Sequence, residues 1–290
     1  MKKYVYFTIS LILAFTQQAL ARMNVESAIQ SVINAFPQKE DATLENGKTF
    51  RLPVHYYQIE GLVSVGRIDL EAARSVMAGS GLYPAPMTRK YGVAIVYAVN
   101  HPNNTIGPYQ EFVVLVAATA DSRLADNNSK NRNFMRGQLA KALLHHGRDI
   151  GARHQNDFFF HVPFISVTTQ DALLAGRDVW KLPKDIAKFE NFFSALKSHS
   201  SVRGPNCGLD FGFTHSRDGV RLPLYMDFNL VGLWQQPRQR LIKAPMFARG
   251  EMLVSMYRKS KGDYFNPDLN TQCGRWFKNV GYRPLLWQYV

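Results

Sequence analysis

The strongest constraint on this fold is a series of segments dense in Val, Ile, Phe and Tyr: Arg51 to Val65, Gly92 to Asn100, Glu111 to Thr119, Asp157 to Thr168 and Leu209 to Leu230. β-Branched and aromatic side chains suit a pleated, half-buried surface, so these runs predict strands. Within the last of them, Ser216-Arg217-Asp218-Gly219 predicts a hairpin turn. Three helices are expected between the strands: Asp69 to Ala78, Phe134 to His146, and Thr169 to Arg177 with Asp171 near its start. No stretch repeats at solenoid or propeller periods. The expectation is an α+β domain, mostly antiparallel β, built round a sheet or barrel. The polar run Asp121 to Arg132 predicts an exposed loop, placed where it could be a lid or a tolerated insertion.

The N-terminus has the pattern of a secretory signal peptide. Lys2 and Lys3 precede an apolar run from Tyr4 to Phe15, and Ala19-Leu20-Ala21 supplies small residues for cleavage after Ala21. That run is shorter than the roughly 20 residues a bilayer-spanning helix needs, so stable membrane insertion is not expected. The chain is expected to divide into a signal peptide (1–21), an N-terminal helix with its connector (22–48) and a main domain (49–290). Met23 to Phe36 carries its apolar residues on one helical face, and Pro37 ends it. The product is expected to be exported, either to a periplasm or out of the cell.

The formal charge of +13 falls to +11 when Lys2 and Lys3 leave with the signal. The basic residues are scattered, and no zinc-finger, RNP or helix-turn-helix pattern accompanies them, so nucleic acid is not an expected partner. Cys207 and Cys273 would meet an oxidising compartment, which makes one disulfide plausible beside the alternative of two buried thiols. Neither cysteine has a His or Cys at metal-ligand spacing, and His145, His146, His154 and His161 match no ligand pattern. No nucleophile elbow, P-loop or dinucleotide fingerprint occurs.

The most unusual local run is Gly176-Arg177-Asp178-Val179-Trp180-Lys181-Leu182-Pro183-Lys184-Asp185. Pro183 restricts the backbone just before a lysine, Gly176 permits a sharp turn, and Trp180 and Leu182 bring apolar surface near Lys184. Desolvation of that kind favours a neutral, nucleophilic amine. A lysine after proline is more often simply solvated, so the run alone does not establish chemistry.

This run resembles the Gly-Arg-Glu…Pro-Lys segment of the acetoacetate decarboxylase family. A second match lies upstream, where Gly107-Pro108-Tyr109-Gln110-Glu111 before a Val-rich strand is similar to the family's Gly-x-Tyr-x-Glu segment. The resemblance implies a cone-like or barrel-like antiparallel β fold with a few flanking helices, assembly into homo-oligomers, and a small keto-acid or related carbonyl substrate. It implies Lys184 as the Schiff-base nucleophile and Glu111 as an acid/base group, with Arg51, His55, Tyr109 and Trp180 as candidates to bind substrate. Imine chemistry of this kind requires no metal and no organic cofactor.

Two departures from the family pattern bear on activity. Asp185 stands where the family usually has a second lysine, and a carboxylate beside Lys184 would stabilise its ammonium form. The charged residues of two upstream strands are replaced by Val54-His55-Tyr56-Tyr57 and by Gly92 to Tyr97. The alternative to a decarboxylase-type enzyme is a non-catalytic protein that keeps the cavity for a small ligand.

Overall fold

The structure is a computed structural model that describes residues 34, 37–144, 158–194, 196–214, 220–231, 243–256 and 263–289. The expected signal, almost all of the N-terminal helix and the turn at 216–219 lie outside the described residues.

A hairpin of β1 (Glu40–Thr43) and β2 (Thr49–Leu52) comes first, then the long strand β3 (Tyr56–Asp69). The expected strand over Arg51 to Val65 is therefore two strands. Pro53 lies between them and has no N–H to continue a ladder. Asp69 ends β3 and caps helix α1 (Leu70–Val76) by accepting from the N–H groups of Glu71 and Ala72. After β4 (Tyr83–Pro84) come β5 (Tyr91–Asn104) and β6 (Tyr109–Thr119), both longer than their apolar runs predict.

The polar stretch after β6 is not a free loop. It forms α2 (Ser122–Ala125) and the start of α3 (Ser129–Leu144). Asn131 is buried there, and its Nδ2 donates to the carbonyls of Arg123 (2.6 Å) and Asp126 (3.1 Å). Its polar residues tie turns together, which composition alone does not distinguish from solvation.

Strand β7 (Phe159–Val167), helix α4 (Gln170–Leu174) and a π-helical turn at Ala175–Val179 lead to β8 (Lys184–Ile186). The chain continues through β9 (Lys188–Phe192), β10 (Lys197–Arg203), β11 (Gly208–Thr214), β12 (Val220–Val231), β13 (Lys243–Met256), β14 (Tyr264–Pro267), α5 (Gln272–Asn279) and β15 (Arg283–Tyr289).

The large sheet runs in the order β4-β6-β5-β3-β15-β13-β12-β7-β8, and β7 also pairs with β6. The pairing thus curls back on itself. The β12–β7 contact is parallel and spans only Leu230↔Phe160 and Val231↔His161, whereas β6 and β7 run antiparallel from Glu111↔Val167 to Ala118↔Phe159. A smaller sheet has the order β14-β11-β10-β9. Its Val202, Leu209, Phe211 and Phe213 bury one face of the large sheet against Ala94, Val96, Ala98, Phe112 and Val114. The opposite face carries Ile95, Tyr97, Val99, Val113, Leu115 and Ile165 into a second core. Strand alternation assigns odd and even residues to the two sides. The functional side chains emerge from the second face.

Cys207 and Cys273 form a disulfide that ties the turn before β11 to α5, beside a hydrogen bond from Cys273 N–H to the Asn206 carbonyl (2.9 Å). At a sequence separation of 66, loop entropy alone predicts that reduction removes about 4 kcal/mol of stability. Urea unfolding with and without a thiol reductant measures this; equal midpoints would mean that the noncovalent packing of α5 suffices. No described helix is long and apolar enough to cross a membrane.

Candidate active site

Lys184 begins β8, where its amide donates to the Leu182 carbonyl (2.8 Å) and its own carbonyl accepts from Arg177 Nε (2.8 Å). Leu182 N–H in turn donates to Gly176 O (3.0 Å). These bonds hold the strand start against the π-helical turn, and Gly176 lies against the lysine stem so closely that a Cβ there would overlap Cδ and Cε. Of the sequence run that marks the site, Arg177 and Gly176 therefore shape the backbone rather than the chemistry.

The stem delivers the amine to a buried carboxylate. Lys184 Nζ lies 2.9 Å from Glu111 Oε2, with the two residues only 3% and 7% exposed. Glu111 projects from β6, and the pairings Glu111↔Val167 and Ile165↔Lys184 set β6, β7 and β8 side by side. The Tyr97 hydroxyl donates to Glu111 Oε1 (3.2 Å) and that of Tyr109 to Oε2 (3.3 Å). Tyr56, 38% exposed, is the outermost of the group, and its hydroxyl meets that of Tyr109 at 2.9 Å. His101 lies with its Nε2 3.9 Å from Glu111 Oε1, within charge range but beyond a hydrogen bond.

Burial by itself raises the Glu111 carboxyl; the Lys184 ammonium and then His101 outweigh it and hold the group down at about 2. Burial, reinforced by the Glu111 charge, pushes the phenols of Tyr97 and Tyr109 well up, so both remain hydrogen-bond donors.

Asp185 points away from this pair. As the next residue of a strand it belongs to the opposite face, where it pairs in register with Ser166. It is 5% exposed. Burial pushes its carboxyl up, opposed by Ser166, Asn206 and the charge of Arg177. The groups that lower Glu111 are Lys184 and His101.

Lys184, Glu111 and Tyr109 are thus brought together. Arg51 is not among them: it is exposed on the β1–β2 hairpin, 3.7 Å from Asp41. His55 donates its backbone N–H to Thr105 Oγ1 (3.2 Å) and stands edge-on to Tyr57. Trp180 packs in the cores beside the turn. His161 is buried and held down at about 4 by that burial, with Nδ1 3.2 Å from Val231 O; His145, His146 and His154 lie outside the described residues. Tyr56, Tyr97 and His101 carry no local motif. Their one sequence signal is the period-2 spacing of Tyr97, Val99 and His101, which becomes informative once β5 is known to lie beside β6. Two surface clefts of about 350 Å³, one between Ile186 and Thr271 and one around Arg67 and Arg283, do not include the Lys184–Glu111 pair.

The profile of the family described as Acetoacetate decarboxylase (ADC) matches residues 37–223, a span that contains both Glu111 and Lys184. The chain belongs to the acetoacetate decarboxylase family. Among solved structures it is similar to acetoacetate decarboxylase from Legionella pneumophila, at 10% identity and a TM-score of 0.46 over 89% of this chain and 90% of that one. It is also similar to the enduracididine biosynthesis enzyme MppR (12% identity, TM-score 0.41, 80% and 83% covered). An acetoacetate decarboxylase-like enzyme from Sphingomonas wittichii RW1 matches at 13% identity and a TM-score of 0.41, with 80% and 87% covered. No curated protein matches the chain.

Proposed function

We propose that this chain is an exported enzyme of decarboxylase (carboxy-lyase) type that forms a Schiff base between Lys184 and a keto acid or related carbonyl compound. The observation that carries this reading is the buried contact of the Lys184 amine with Glu111, ringed by phenol donors. A charged pair removed from water gains little stability over apolar residues of the same size, so its retention suits chemistry better than folding. The disulfide and the N-terminal sequence pattern support export. Assembly into homo-oligomers belongs to the same reading through the family resemblance.

In the first step the Lys184 ammonium passes one proton to Glu111; the freed amine nitrogen bonds to the substrate carbonyl carbon as the C=O π pair moves to oxygen, and that oxygen takes the second proton from nitrogen to give the carbinolamine. The forces on Glu111 make this reversible. While Lys184 is cationic its charge helps hold the carboxyl ionised; once the nitrogen is neutral that lowering is gone, and the burial that favours the protonated acid weighs more. Loss of water from the carbinolamine restores a cation, the iminium, beside a carboxylate again able to ionise. That iminium draws the electron pair of the breaking C–C bond as carbon dioxide leaves, giving an enamine. Protonation at carbon and hydrolysis then free Lys184.

Intact-mass spectrometry after borohydride trapping with a panel of β-keto and α-keto acids tests this. An adduct that maps to Lys184 and is missing in Lys184→Ala is the expected result. Folded wild-type protein that traps no member of the panel would move the assignment to a non-catalytic ligand-binding protein.

A further inference from the structure

We propose that His101 is a further catalytic residue, one that hydrogen-bonds the oxygen of the substrate carbonyl and relays a proton to it during dehydration of the carbinolamine; this rests on the imine reading of Lys184. Strand register places it there. His101 pairs directly with Tyr109 across β5 and β6, two residues along from the Val99↔Glu111 pair, on the face that carries Tyr97. Its ring packs against those of Tyr56 (centroids 4.6 Å apart) and Tyr109 (4.7 Å), and the residue is 6% exposed.

What distinguishes His101 from its neighbours is unused hydrogen-bonding capacity. Lys184 Nζ, the three tyrosine hydroxyls and both Glu111 oxygens all bond one another. Both ring nitrogens of His101 are buried without a hydrogen bond, Nε2 keeping only its 3.9 Å approach to Glu111 Oε1. An unmet buried polar group costs about 1–3 kcal/mol, so a ring kept in this state next to the reactive amine fits a site whose remaining partner is the substrate. Tilted packing against two tyrosine rings, at interplanar angles of 48° and 41°, holds the imidazole in place before any ligand arrives.

The chemistry follows from the two nitrogens. A neutral imidazole has one acceptor and one N–H donor. Nε2 faces Glu111, which holds the proton taken from the amine; Nδ1 is left for the substrate oxygen. When Nε2 accepts the proton from Glu111 and the other nitrogen gives its proton to the carbinolamine hydroxyl, the C–O bond breaks with its electron pair on the leaving water. The lone pair of the Lys184 nitrogen forms the C=N bond. Imidazole is neutral before and after, Glu111 returns to the carboxylate, and the positive charge resides on the iminium.

The test compares wild type, His101→Phe and His101→Gln, each shown to be folded by circular dichroism, for the rate of borohydride-trapped adduct formation at Lys184 and for turnover. Phe keeps the ring packing and volume but has no hydrogen-bonding group, while Gln keeps a donor and an acceptor. The expected result is a fall of about 10²-fold or more in both rates for Phe, with Gln recovering part of it. A purely structural role gives the opposite order, with Phe the better replacement. Wild-type adduct together with a His101→Phe variant that traps and turns over at the wild-type rate, or with Phe outperforming Gln, overturns this role and leaves Lys184 untouched. No adduct in wild type overturns both.

Discussion

The Lys184→Ala protein is expected to form no imine and to unfold with a stability lower by about 3–5 kcal/mol, because it leaves the Glu111 carboxylate buried without its cation. Glu111→Leu is expected to cost a similar amount by stranding the ammonium. The two losses should not add. A Lys184→Met/Glu111→Leu protein removes both charges and fills the space with apolar volume, so its stability should return to within about 1–2 kcal/mol of wild type. Urea unfolding of the four proteins near neutral pH measures the cycle. Single variants as stable as wild type would show that water reaches the pair.

Acid titration gives the same pair a second readout. Glu111 is held at about 2 against an ordinary 4.5, so the folded state binds its proton less readily than the unfolded chain does. Its contribution is fully present above about pH 4.5 and is lost as pH falls through about 2, amounting to roughly 3 kcal/mol. Wild type should therefore lose stability across that window, and the Lys184→Met/Glu111→Leu protein should lack this component.

Gly176→Ala is expected to lower the rate of adduct formation at Lys184 by about 10²-fold while leaving every charged group of the site in place. The added Cβ would overlap Cδ and Cε of Lys184 and stand 2.9 Å from Cγ. The stem is held at both ends, by the bonds of its backbone in β8 and by the Nζ–Glu111 contact, so it yields only by moving the amine. Gly137→Ala provides the control. It lies exposed in α3 with nothing within 4 Å of the new Cβ, and there alanine should stabilise the helix by about 0.5–1 kcal/mol without slowing the adduct. Unchanged trapping by Gly176→Ala would mean that Lys184 reaches the substrate by another path.

The β-rich character of the chain and its two local motifs were legible in the order of the residues alone. Runs such as Phe112 to Ala118 can do little but fill a pleated, buried surface, and the turn before Lys184 is written in contiguous residues. Strands β9, β10 and β14 were not legible, because Lys-Ser-His-Ser-Ser-Val-Arg has the composition of a loop until the large sheet offers it an apolar partner. Only the tertiary structure decided the membership of the site. His101 and Tyr97 reach Glu111 through cross-strand register, which joins residues 10 and 14 apart along the chain and leaves no local signature. Arg51 pairs instead with Asp41 in the separate β1–β2 hairpin. Asp185 follows the same physics: adjacent to Lys184 in sequence, it faces the other side of the sheet, because consecutive side chains of a strand point in opposite directions.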